Sequence, residues 1–130
     1  MTGNLVAGSP SNIGIGIFYS FVAGGAAGSV SGNTIMGLGY GITVSADGVS
    51  VTSNKIVNTV DGIAIGSLAA RIQGNSITKA GQAGIEFNCL ADPNVLSNTI
   101  TDVATGIDHV PGAVTSINTY FNVGTIKSGC

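Results

Sequence analysis

The sequence predicts an all-β solenoid. Three observations carry that expectation: a four-residue phrase recurs about every 21 residues, short apolar pieces alternate with period two, and glycine and β-branched residues are abundant while charge is scarce. Alternation in pieces of three to five residues, punctuated by Gly and Asn, means short strands joined by turns. A fixed period of this length means that each unit is one coil of a stack.

The phrase reads Gly32-Asn33-Thr34-Ile35, then Ser53-Asn54-Lys55-Ile56, Gly74-Asn75-Ser76-Ile77 and Ser97-Asn98-Thr99-Ile100. Aligned on the asparagine, the units begin at Asn4, Asn33, Asn54, Asn75, Asn98 and Asn118, at intervals of 29, 21, 21, 23 and 20 residues. A second landmark, Gly-Ile, follows at Gly41-Ile42, Gly62-Ile63, Gly84-Ile85 and Gly106-Ile107. The third is an apolar residue three positions before the next asparagine: Val30, Val51, Ile72 and Val95, with Thr115 as a weaker last member. Three short strands per coil, five to six coils of 20–23 residues and parallel pairing at about 4.8 Å between coils follow from this pattern. The inward columns are then Val6, Ile35, Ile56, Ile77, Ile100 and Tyr120, next Ile42, Ile63, Ile85 and Ile107, and next Val44, Ile65, Phe87 and His109. Helix is disfavoured by the glycine content and by the lack of an apolar stripe at helical spacing. Asn33, Asn54, Asn75 and Asn98 form the expected structural ladder, because asparagine tolerates turn geometry and bonds neighbouring amides.

These phrases resemble the repeats of the right-handed parallel β-helix, the scaffold of the pectate-lyase-like superfamily. That group includes pectate lyases, polygalacturonases, alginate epimerases, periplasmic copper-site assembly proteins and phage tailspikes. The resemblance covers Gly3 to Ile126 and implies a fold rather than an activity, since one scaffold hosts many functions. The left-handed β-helix, with about 18 residues per coil in hexapeptide steps, fits the observed intervals poorly. The whole chain, 1–130, is expected to be one domain, with an irregular or inserted first coil at 7–28 and a short terminal coil and tail at 118–130. Pro93 and Pro111 mark expected bends.

Composition excludes several classes of function. Charged residues make up 8% of the chain, and only Lys55, Arg71, Lys79 and Lys127 are basic, so no patch can neutralise a phosphate backbone. No run of about 20 apolar residues spans a membrane, and Ile13–Gly28 lacks the positive flank of a signal peptide. Low hydrophobicity would indicate disorder, but 44% of the residues are hydrophobic.

Candidate chemistry lies where polar residues face outward. The middle position of Gly-Ile-x-Val gives the column Thr43, Ala64, Glu86 and Asp108, placing two carboxylates on adjacent coils. Such a pair can bind Ca²⁺, contact a sugar, or supply an acid and a nucleophile for glycoside cleavage. Against these stands a solvated acidic pair with no ligand. His109 is expected inside by parity. Arg71, beside Ser50 and Asn94 in its column, could pair with a uronate carboxylate. Asp61, Asp47 and Asp102 read as turn residues. A second face, Thr34, Lys55, Ser76, Thr99 and Thr119 beside Met36, Val57, Thr78 and Thr101, carries enough hydroxyls to raise ice binding as a minor alternative.

Motifs of the enzymes that share this scaffold are missing. Asn-Thr-Asp and Gly-His-Gly do not occur, Arg71-Ile72 continues with Gln73, and Asp92-Pro93 continues with Asn94. The expectation is therefore a non-catalytic extracellular module, either a scaffold or a carbohydrate-binding surface, with no catalytic residues and no cofactor beyond Ca²⁺ at Glu86 and Asp108. Its expected location is secreted or at the cell surface, or else periplasmic. The alternative is a fragment of a lyase, hydrolase or epimerase acting on acidic polysaccharide. Polysaccharide or surface glycan is the expected partner, with end-to-end self-association through exposed strand edges. The chain starts within a repeat, which reads as a segment of a longer solenoid. Cys89 and Cys130 lie 41 residues apart, about two coils, so they are expected not to bridge.

Overall fold

A computed structural model of the chain describes residues 1–9, 14–20, 28–89, 94–110 and 116–130. Strands β1 (Leu5–Ala7), β2 (Ile15–Tyr19) and β3 (Ser29–Ser31) make the first turn, and β4 (Thr34–Met36), β5 (Tyr40–Val44) and β6 (Ser50–Thr52) the second. The third consists of β7 (Lys55–Val57), β8 (Asp61–Ile65) and β9 (Arg71–Gln73). Strands β10 (Ser76–Thr78) and β11 (Ala83–Phe87) lead into β12 (Asn94–Val110), and β13 (Ser116–Gly129) stacks on β12. Every named pairing is parallel, giving a solenoid of about five turns. In the last two coils the pairing runs on through the bends, so β12 and β13 are long where three short strands are expected.

The repeated phrase has a backbone cause. The residue before Asn4, Asn33, Asn54, Asn75 and Asn98 is left-handed: Gly3, Gly32 and Gly74 have φ of 64°, 64° and 66°, and Ser53 and Ser97 have 56° and 57°. Glycine adopts this region without penalty and small polar residues tolerate it better than branched ones. A second left-handed column, Gly37, Asn58, Lys79, Asp102 and Asn122, closes the same three-residue strand on its other side. In the four coils from Asn33 to Asn98 the chain thus turns two left-handed corners around one short stretch of strand.

The asparagines are bonded as expected and more completely. Backbone N and Nδ2 of Asn54 both donate to Oδ1 of Asn75 at 3.0 Å, and Nδ2 also donates to the Val30 carbonyl at 3.0 Å. The same pattern links Asn33 to Asn54, Asn75 to Asn98 and Asn98 to Asn118. Both Oδ1 lone pairs and both Nδ2 hydrogens of Asn54 are used, which satisfies a buried amide in full.

The Ile35–Ile56–Ile77–Ile100 and Ile42–Ile63–Ile85–Ile107 columns are in register and wholly buried. Each such side chain contributes about 1.5–3 kcal/mol of burial, and no single coil could hide it alone. The expected column member Thr115 lies outside the described residues, and the partner of Val95 is Ser116. Pro93, Pro111 and half of the expected insertion also lie outside them; β2 pairs with β5 in the ordinary column, Ile17 on Ile42. Among the described residues no helix is long and apolar enough to cross a membrane.

Three expectations are corrected. His109 does not face inward: it is exposed, has φ of 52°, and Val110 is buried in its place. The cause is a register shift between Ile107 and Val110, an extra residue in β12 that turns His109 outward. Asp61 opens strand β8 and is buried at 3% exposure instead of forming an exposed turn. Finally, Cys89 and Cys130 form a disulfide with their Cα atoms 5.7 Å apart. The two-coil spacing does not hold them apart because each cysteine lies beyond the end of its strand. Cys89 follows β11 at φ 23°, and Cys130 follows β13.

Candidate functional site

The outward column forms as expected. Thr43 pairs with Ala64, Ala64 with Glu86 and Glu86 with Asp108, while Phe18 continues the column below Thr43. Parity carries the same face two residues further, to Ser45, Gly66 and Asn88, which follow β5, β8 and β11. Side-chain size along these two columns makes the surface concave. Ala64 and Gly66 are the floor, Thr43 and Ser45 stand on one side, and Glu86, Asn88 and His109 on the other. The result is a groove of about 430 Å³, to which Phe87 and Cys89 also contribute. Asn88 Nδ2 donates to the Gly66 carbonyl at 3.1 Å, tying wall to floor.

The extra residue that expels His109 from the core delivers its ring to the two carboxylates. Nδ1 lies 3.8 Å from Glu86 Oε1 and 3.5 Å from Asp108 Oδ2. Asp108 is held from two sides, accepting at Oδ1 from the His109 backbone amide at 3.0 Å and from the Ser128 hydroxyl. Burial raises the Glu86 carboxyl above its ordinary value. The charge of Asp61 adds to the rise, His109 offsets part of it, and Asp108 adds a little more. A protonated Glu86 would donate a hydrogen bond where the ionised form only accepts.

Of the residues singled out from sequence, Thr43 and Glu86 line the groove and Asp108 supports its wall. Arg71 does not join them: it is exposed on β9 and donates to Gln73 Oε1. Among the described residues no cluster of three or more acidic, histidine or cysteine side chains could hold a metal ion. Ser45, Asn88 and His109 were not anticipated as site residues. Extending the outward parity past Val44, Ile65 and Phe87 finds the first two. The late apolar residue in Ile107-Asp108-His109-Val110 is the signal for the third.

Fold and repeat define a parallel β-solenoid protein. More narrowly, the model of the right-handed β-helix region matches residues 3–126, nearly the whole chain, and the chain belongs to that family. No curated protein and no solved structure matches it.

Proposed function

We propose that this chain is a non-catalytic β-helix module that binds carbohydrate in the groove between Thr43 and His109. The observation that carries the reading is the groove itself. It is an elongated concavity crossing successive coils, with hydroxyl, amide, carboxyl and imidazole groups on its walls and small residues on its floor. A sugar presents hydroxyls at similar intervals and uses such mixed donors and acceptors for orientation. Among the described residues the lining holds no Lys or Arg and does hold Glu86, which favours neutral or amino sugars over uronates. The Cys89–Cys130 bridge and the low surface charge support a secreted or cell-surface location.

A second reading rests on the Glu86–His109–Asp108 contacts, which could transfer a proton during cleavage of a glycan. Calorimetric titration with neutral, amino and uronic oligosaccharides, followed by analysis of the products, separates the two. Binding without product, abolished by Ala64→Leu on the groove floor, supports the binding module. Product release that disappears in Glu86→Gln or Asp108→Asn replaces it with the catalytic reading. Failure of every glycan to bind, with and without Ca²⁺, overturns both.

A further inference from the structure

We infer that the end of β13 positions the His109 wall of the groove, and that the Cys89–Cys130 disulfide is a redox latch on it. The inference rests on the carbohydrate-binding reading for its functional consequence, but not for its structural content.

Three contacts from consecutive coils converge on His109 and its neighbour. The His109 amide donates to Ser128 Oγ at 3.2 Å, and the Ser128 hydroxyl donates to Asp108 Oδ1. Cys130 Sγ lies 3.1 Å from the His109 carbonyl oxygen. Residues 128–130 therefore touch the peptide units on both sides of the His109 side chain. His109 needs such support because it occupies a left-handed φ of 52° at a bulge, a conformation that persists only where the surroundings over-determine it.

The support is itself fastened to the groove. Cys130 is bonded to Cys89, and Cys89 lines the groove beside Asn88 and Phe87. The disulfide thus closes a loop that runs from one groove wall, through the coil bearing His109, and back. Breaking it leaves residues 128–130 exposed or half-buried at the edge of the stack, with a few hydrogen bonds to hold them. The chemistry is two-electron thiol–disulfide exchange. A dithiol such as dithiothreitol attacks Sγ, the S–S bond breaks, and Cys89 and Cys130 each end as a thiol with one proton. The reductant leaves as its cyclic disulfide.

The chain contains a single histidine, so the His109 ring gives unambiguous NMR signals. The test compares ring and backbone-amide resonances of His109 in oxidised protein, in protein reduced with dithiothreitol, and in oxidised Ser128→Ala. Circular dichroism confirms that the coils persist, and glycan affinity is measured in parallel. Reduction and Ser128→Ala are both expected to move or broaden the His109 signals, and to weaken glycan binding roughly two- to tenfold, the worth of about one positioned hydrogen bond. His109 signals that coincide in all three samples overturn the latch, as does recovery of two free thiols from unreduced protein. If no glycan binds the oxidised protein while the His109 signals still respond to reduction, the carbohydrate reading fails and the latch stands.

Discussion

The backbone amide of Ala83 donates to Oδ1 of Asp61, one coil below, at 3.0 Å. The reason lies in the repeat. Gly41, Gly62 and Gly106 follow their asparagines by eight residues, but Gly84 follows Asn75 by nine. The extra residue lets Gln82 take the ladder position, donating to the Val60 carbonyl at 2.8 Å, and leaves the next amide without a backbone acceptor. The buried Asp61 carboxylate supplies one.

This arrangement makes stability depend on pH. Burial raises the Asp61 carboxyl above its ordinary value, the Ala83 hydrogen bond lowers it in part, and Asp108 adds to the rise. Glu86 is raised as well. A carboxyl whose pKa is higher in the folded chain contributes stability below its unfolded value, and that contribution is lost as pH climbs through the folded value. Urea midpoints are therefore expected to fall as pH climbs above the ordinary carboxylate range. Asp61→Asn keeps an oxygen for the Ala83 amide and removes the charge, so its profile should be flatter. A midpoint that rises over that climb in the wild-type chain would contradict the assignment.

The lattice was legible in the sequence because one physical requirement repeats in every coil. Ile35, Ile56, Ile77 and Ile100 recur since each turn buries the same inward position against the next. The Gly-Asn and Ser-Asn pairs recur since the corner needs a left-handed residue followed by a bonded amide. The groove was half legible: parity gave Thr43, Glu86 and Asp108, but depth depends on how small Ala64 and Gly66 are beside their neighbours. The misplaced residues sit at local departures from the repeat. One added residue turned His109 outward, another gave the buried Asp61 the Ala83 amide as a partner, and the two cysteines escaped the coil spacing by lying past their strand ends.

The ladder predicts unequal penalties for equal substitutions. Asn54→Ala removes the acceptor of the buried Asn33 backbone amide, at roughly 1–3 kcal/mol for a buried orphan, together with a bond from Asn33 Nδ2, which keeps the Ser31 carbonyl, and the side-chain donor to the Val30 carbonyl. Against a total stability of about 5–15 kcal/mol, this is a substantial loss and should lower the melting temperature clearly. Asn4→Ala removes only bonds made by an exposed side chain, and the Asn4 backbone amide keeps Asn33 Oδ1 at 2.9 Å. Its cost should stay near or below about 1 kcal/mol. Thermal melts of the two proteins decide the matter, and similar losses would contradict a ladder bonded along its whole length.

The second left-handed column offers a stabilising change. Lys79 sits at φ 58°, a region that costs an L-residue about 1–2 kcal/mol. Lys79→Gly removes that strain and keeps the amide bond to the Thr101 carbonyl at 3.0 Å. Glycine adds about 0.5–1 kcal/mol of unfolded-chain entropy in opposition. The net gain should be a few tenths to about 1 kcal/mol by chemical denaturation. A measured loss would place the value of Lys79 in its side chain.

Two glycines of the same coil should respond in opposite ways to one added methyl. A Cβ at Gly62 would lie 2.7 Å from Ile77 Cγ2 and would also press on the Gly84 carbonyl oxygen. Both are fixed parts of the neighbouring coil, so the coils must separate, and Gly62→Ala should destabilise by about 1–3 kcal/mol or more. A Cβ at Gly66 meets nothing closer than the Val44 carbonyl oxygen at 3.7 Å, and its backbone does not require glycine. Gly66→Ala should therefore be neutral or stabilising by up to about 1 kcal/mol through reduced unfolded-chain freedom. It also raises the groove floor by one methyl, so glycan affinity should drop in Gly66→Ala while the melting temperature holds or rises. Unchanged affinity would remove Gly66 from the groove, and a Gly62→Ala protein as stable as wild type would refute the close stacking of the Gly-Ile column.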